Sequence, residues 1–257
     1  MAKQTVFHSV FLNISLKMQA LLDFTDKRAD NRIDTYDESS IEGVVMNTTM
    51  SYEHFIQVAE LRTQVMEAAA RFDFQETPKA LLFAERCHAG QRRKGPAKLP
   101  YIIHPLTMAC HALSLGLAED ELIATTLLHD TCEDCHLLPE ELPVNASVQE
   151  AVRRLTFFPE PGVPHARARD SYFARIPGNR VAVLTKLLDR CNNLSYMAYG
   201  FSREKLLDYI DETERAVIPL LDYAKQHFHR DRDALFLLNY QMYSVMNSIR
   251  ALLERDL

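Results

Sequence analysis

Leu127-Leu128-His129-Asp130-Thr131-Cys132-Glu133-Asp134 sets four ionisable side chains within six residues, directly after an apolar run that belongs in a core. Buried charge is costly without a partner, and an imidazole beside a carboxylate can find one in a divalent cation that takes the His nitrogen and the Asp oxygen as ligands. The stretch reads as the end of a buried helix that carries part of a metallohydrolase site.

The rest of the chain supports a helical frame for it. With 257 residues and 47% hydrophobic side chains, a sizeable core can form. Seven Gly, no Trp and long runs of Leu, Ala, Met, Glu and Arg favour helices over a strand-and-turn architecture. The expected fold is an all-α helical bundle with a metal site in its centre. A net charge of −6 speaks against nucleic acid as a partner, while a local basic cluster can still hold a small anion. Polar residues interrupt the apolar N-terminal run, so no membrane span or export signal is expected and the cytoplasm is the default. Five Cys without a framework spacing predict no structural disulfide.

Periodicity divides the chain. Phe7, Val10, Phe11, Ile14, Met18, Leu21 and Leu22 share one helical face, followed by a polar, aperiodic stretch, so residues 1–49 read as an appended helix plus linker and 50–257 as the main domain. Met50 could itself start translation. A helix is predicted from Met50 through Phe55, Val58, Leu61, Val65 and Ala69, and another over Thr77–Ala89, followed by the basic loop Gln91-Arg92-Arg93-Lys94-Gly95-Pro96. Pro105 suits the first turn of a helix to about Leu115, with His104 at its entrance. Glu119, Asp120 and Glu121 suit the N-terminal end of the next, which reaches His129 and Asp130 in its last turn. Pro159 to Pro164 breaks the chain, and Val181–Tyr199 is helical with Asp189 inside it. Ser202 caps a run with Leu206, Ile210, Thr213, Val217, Leu221 and Ala224 inward; a last helix turns Leu235, Leu238, Met242, Val245, Ile249 and Leu252 inward.

An antiparallel bundle can gather His104, His129, Asp130 and Asp189 at its middle, leaving coordination positions for water and a substrate oxygen. Nitrogen and oxygen donors without thiolate suit Mn²⁺, Fe²⁺ or Zn²⁺ alike. From the doublet alone, ordinary buried histidines with Asp189 paired to Arg190 or Lys186 fit equally well. Cys132-Glu133-Asp134-Cys135-His136 also fits the C-x-x-C-H pattern of covalent haem attachment, and Cys132 with Cys135 the spacing of a zinc or redox pair, although neither an export signal nor a second Cys pair accompanies them.

Further motifs shift the balance. Phe83-Ala84, His88-Ala89-Gly90-Gln91-Arg92-Arg93-Lys94, Pro100-Tyr101-Ile102-Ile103-His104-Pro105, the His129–Asp134 stretch and Lys186-Leu187-Leu188-Asp189-Arg190-Cys191-Asn192-Asn193 follow one another in order. Over residues 76–226 this resembles the HD-domain hydrolase of RelA/SpoT-type alarmone enzymes, in its stand-alone form, since no room remains for a synthetase domain. The resemblance implies one Mn²⁺ on His104, His129, Asp130 and Asp189, with other divalent metals possible. It implies Glu133 and Asp134 as the carboxylates that assist the attacking water, which is sound chemistry on its own because one carboxylate can take the water's proton while its neighbour raises its pKa. Arg93 and Lys94 would hold a guanine nucleotide, with Asn193 near base or ribose; Ser195 and Tyr196 depart from the Arg and Thr common in the long enzymes. Arg153, Arg154, Arg167, Arg169, Arg175 and Arg180 offer a few contacts to distal phosphates, together with Tyr172. The implied activity is release of the 3′-pyrophosphate of guanosine tetra- or pentaphosphate. Phosphate removal from NADPH, and alarmone binding without cleavage, are the alternatives.

Overall fold

The buried, nearly unbroken apolar run before His129 becomes the middle of the described helices. In the computed structural model the chain divides into two units, residues 1–50 and 51–257. The structure describes residues 57–94, 98–159 and 161–255, all within the second unit. The expected N-terminal helix, and the part of the next helix from Met50 to Phe55, lie outside the described residues. The described residues form helices α1 (Val58–Arg71), α2 (Glu76–Cys87), α3 (Ile103–Ser114), α4 (Asp120–Leu128), α5 (Thr131–Cys135), α6 (Ala146–Leu155), α7 (His165–Arg175), α8 (Arg180–Met197), α9 (Arg203–Glu212), α10 (Ile218–His227) and α11 (Arg232–Arg255). No strand occurs among them, only an isolated antiparallel bridge between Arg92 and Pro100. The fold is all-α. No helix among the described residues is long and apolar enough to cross a membrane.

Two helices carry the centre. In α4 every residue from Leu122 to Leu128 is buried, and in α8 Ala182–Thr185 and Leu187–Asn192 are buried. Helices buried on all sides are the innermost members of a bundle. Each fully buried Leu or Ile here contributes about 2 kcal/mol of hydrophobic stabilisation. Around them pack α2, α3 and α6 against α4, and α10 and α11 against α8, while α4 and α8 touch each other. Their ends are fixed locally. Asn145 accepts from Val148 N at 3.0 Å to cap α6, Asn179 from Ala182 N at 2.9 Å to cap α8, and Ser202 from Lys205 N at 3.4 Å to cap α9, the last as expected from its sequence.

The structure differs from the sequence reading in several places. Two helices without a counterpart in the sequence reading, α6 and α7, stand on either side of the Pro-rich break. The run after Ser202 keeps its inward residues but is not one helix. A π turn at Thr213–Val217 separates α9 from α10, where Pro219 lacks an N–H and its ring opposes the carbonyl four residues back. On α11, Leu252 is 59% exposed, and Met246 is buried instead. Finally, α4 ends at Leu128, so His129 and Asp130 form the corner between α4 and α5 rather than a last turn.

Candidate functional site

His104 and His129 meet where α3 begins and α4 ends, their Nε2 atoms 3.2 Å apart. Each ring is anchored from behind. His104 Nδ1 lies 2.7 Å from Asn192 Oδ1, and His129 Nδ1 lies 2.9 Å from the Thr126 carbonyl oxygen. Both partners are acceptors, so each Nδ1 carries a proton and each Nε2 faces inward, where it can take a second proton or offer a lone pair to a metal. Two lone pairs cannot bond each other, so the pair calls for a shared positive charge.

Carboxylates close around the same point. Asp130 Oδ2 stands 3.0 Å from His129 Nε2 and 3.5 Å from His104 Nε2, and Asp189 Oδ1 stands 3.3 Å from His104 Nε2 and 3.7 Å from His129 Nε2. Burial alone would lower the His129 pKa, yet the Asp130 and Asp189 carboxylates outweigh it and hold it up to about 10. Burial likewise disfavours charge on Asp130 and Asp189; His129 and His104 beside Asp130, and Lys186 beside Asp189, nevertheless hold both well below the usual carboxylate range. The donor atoms of His104, His129 and Asp130 lie within 4.8 Å of one another, a group that could hold a metal ion. Imidazole nitrogens with fixed tautomers and a carboxylate oxygen fit a divalent transition metal.

Asp189 is tied on both oxygens. Oδ1 accepts from Asn193 Nδ2 at 2.6 Å, and Oδ2 from Lys186 Nζ at 2.9 Å. The alternative pairing with Lys186 is thus present in the structure, together with the approach to the imidazoles rather than in place of it.

One cavity opens onto this centre, and a second is lined by Tyr101 and Asn193, which bond Asp130 and Asp189. The inner one, about 100 Å³, is lined by His129, Asp130, Glu133, Arg169, Tyr172, Lys186 and Asp189 among others. The outer one, about 340 Å³, is lined by Arg92, Arg93, Lys94, Tyr101, Asp134, Asn193 and Tyr196 among others. Glu133 and Asp134 therefore face different spaces, as adjacent residues on a helix must when each step turns by about 100°. Glu133 Oε1 accepts from Phe157 N, and burial raises its pKa. Burial, then the Asp130 charge, raises that of Asp134, which stands 3.9 Å from His88 Nδ1. Arg93 donates to Asn193 Oδ1 at 3.3 Å, and its guanidinium lies between the rings of Tyr101 at 5.8 Å and Tyr196 at 5.2 Å.

The structure thus brings Arg93, Lys94 and Asn193 together in the outer cleft and places Tyr172 in the inner cavity, apart from them. Among the six arginines, only Arg169 lines that cavity, held by Glu212 at 2.5 Å and set against the rings of Phe157, Tyr172 and Phe173. Arg153, Arg154 and Arg180 are engaged with Glu140, Glu150, Glu119 and Asp231. Sequence reading missed Tyr101, whose hydroxyl donates to Asp130 Oδ2 at 2.5 Å, and Asn192; both sit inside the quoted motifs but had no assigned part. The five cysteines are free, and Cys132 is fully buried inside the core, where it cannot meet a haem edge.

No protein-family model matches the chain. Among curated relatives, the guanosine-3′,5′-bis(diphosphate) 3′-pyrophosphohydrolase of Aquifex aeolicus is 32% identical over 57% of this chain, which spans only 21% of that protein's length. A solved structure of a metazoan SpoT orthologue, described as hydrolysing ppGpp, gives a TM-score of 0.49 at 21% identity, covering 68% of this chain and 93% of that one. The enzymes named guanosine-3′,5′-bis(diphosphate) 3′-pyrophosphohydrolase MESH1 are 30% identical in Xenopus tropicalis, over 54% of this chain and 81% of that protein, and 32% identical in Danio rerio, over 52% and 78%. With most of these two relatives matched, the chain belongs to the MESH1 family of guanosine-3′,5′-bis(diphosphate) 3′-pyrophosphohydrolases.

Proposed function

We propose that the protein hydrolyses the 3′-pyrophosphate of guanosine tetra- or pentaphosphate, giving GDP or GTP and pyrophosphate. The observation that carries this reading is the convergence of two imidazole Nε2 atoms and two carboxylates beside a small inner cavity and a cationic, aromatic cleft.

In this reading His104, His129, Asp130 and Asp189 hold one Mn²⁺ per chain. When bound, such an ion polarises the phosphate and lowers the pKa of water, the chemistry that hydrolysis at neutral pH requires. The outer cleft takes the nucleoside. Arg93 offers a guanidinium plane to the base, Lys94 a point charge to phosphate, and Asn193 a polar edge near the ribose. Glu133, facing the inner cavity, accepts the proton of the attacking water, and Asp134 orients that water from the cleft side. Arg169, Lys186 and Tyr172 hold the departing pyrophosphate in the inner cavity, so the scissile bond lies between cleft and cavity. The water oxygen joins phosphorus, the ribose 3′ oxygen leaves, and a proton returns to it. Every group named in this chemistry belongs to the domain over residues 50–257.

Purified protein incubated with Mn²⁺ and guanosine tetraphosphate should release pyrophosphate, and Asp130→Ala or Asp189→Ala should abolish release while the helical circular dichroism is kept. Tight binding with no product over hours would replace the enzyme by a sensor. Full turnover in both variants would remove the site assignment.

A further inference from the structure

The basic loop and the metal-facing carboxylate are joined through one side chain. The loop folds back on the entrance of α3: Arg93 N donates to Leu99 O at 2.8 Å, Tyr101 N to Gln91 O at 2.9 Å, and Arg92 bridges Pro100. Tyr101 is thereby fixed as a member of both the loop and the helix entrance. Its ring lies under the Arg93 guanidinium at 5.8 Å and against the His88 ring at 4.7 Å. Its hydroxyl donates to Asp130 Oδ2, the same oxygen that approaches both imidazoles.

That bond has a directional consequence. A free carboxylate can present either oxygen, and either lone pair of each, to a cation. With one lone pair of Oδ2 occupied by the Tyr101 hydroxyl, the other is aimed between His104 and His129. Such hydrogen bonds behind a ligand typically change metal affinity 10- to 100-fold.

The geometry points to Tyr101 as a positioning residue with two separable tasks: its hydroxyl orients Asp130 for the divalent cation, and its ring seats the Arg93 plane for the nucleotide. The inference rests on the metal-site reading above and adds the link between that site and the substrate loop.

Two substitutions separate the tasks. Mn²⁺ alone is titrated calorimetrically into the full chain and into its Tyr101→Phe and Tyr101→Leu variants, and KM for guanosine tetraphosphate is measured at saturating Mn²⁺. Tyr101→Phe keeps the ring and volume. It should weaken Mn²⁺ binding about tenfold and leave KM within about twofold of the parent, as expected when the ring's weak contacts are kept. Tyr101→Leu should weaken Mn²⁺ binding to the same extent and also raise KM about fivefold, the loss of one cation–π contact. A Phe variant that binds Mn²⁺ as tightly as a Mn²⁺-binding parent overturns the inference alone, as does a KM raised equally in both variants. A parent that binds no Mn²⁺ overturns the metal reading, and the inference with it.

Discussion

Glu133 and Asp134 are harder to ionise than ordinary carboxyl groups, chiefly because burial disfavours their charge and the Asp130 charge adds repulsion. A base must be ionised to accept a proton, so raising its pKa moves the loss of activity on acidification to higher pH. The acid limb of a kcat/KM–pH profile should therefore lie above the ordinary values of 4.5 and 3.8 for these groups. A limb at or below them would remove both as the controlling base. Glu133→Gln should lower kcat by about 10²- to 10⁴-fold with KM little changed, whereas Asp134→Asn should move KM too, because it faces the nucleotide cleft. Arg93→Ala should raise KM about tenfold, the loss of roughly 1.4 kcal/mol of cation–π and hydrogen-bond contact; steady-state kinetics across substrate concentrations checks this. The motifs mark these residues as candidates. Their division between two cavities was not, because linear spacing says that adjacent helical residues diverge but not what each one faces. Asn192 and Tyr101 were invisible as partners for a related reason: each acts on a residue of another helix.

At the scale of elements, α2 shows what an acidic helix start can conceal. Asp120 lies in the first turn of α4, where charge against the helix dipole was the natural reading. Its carboxylate instead reaches across to the start of α2 and accepts from Gln75 N at 2.6 Å, Glu76 N at 2.8 Å, Thr77 N at 2.8 Å and Thr77 Oγ1 at 2.7 Å. It is an N-cap supplied by another helix, and α2 has no side-chain cap of its own. Burial disfavours the charge, but these four donors win and lower the pKa below 3.8. A lowered folded-state pKa means stability that is present above the unfolded value and is lost as pH falls through the folded one. Asp120→Asn should cost about 2 kcal/mol in urea unfolding at pH 7, and the gap to the parent should narrow as the medium is acidified below pH 3.8. A gap that is constant with pH would show that shape rather than charge does the capping. The missed helix α7 has the opposite lesson. Only Tyr172 of its 11 residues is buried, so its sequence has no apolar stripe to read, and it is held by polar and ring contacts such as Arg169 with Glu212.

For the whole described body, the site and the core are one construction. The two helices buried on all sides, α4 and α8, end at or carry His129, Asp130 and Asp189, so residues 60 positions apart in sequence meet; their apolar surroundings allow that grouping, and the ordered motifs around them favour it. The same arrangement places two carboxylates and two inward Nε2 atoms in the middle of the bundle, with Lys186 alone among nearby cations bound directly to them. A cation bound there stabilises the folded chain over an unfolded one that lacks the site, by RT ln(1 + [L]/Kd), about 2.7 kcal/mol at a hundredfold excess over Kd. For a domain of this size that corresponds to a rise in Tm of about 5–10 °C. Thermal unfolding followed by circular dichroism, first with a chelator and then with Mn²⁺ in excess, should show this rise in the parent and none in Asp130→Ala. The variant also removes a half-buried negative charge from beside two imidazoles, so its Tm with chelator need not fall. What decides is the difference between the two conditions. An equal Mn²⁺-dependent rise in parent and variant would place the cation elsewhere on the protein and leave His104 and His129 as a hydrogen-bonded pair sharing a proton.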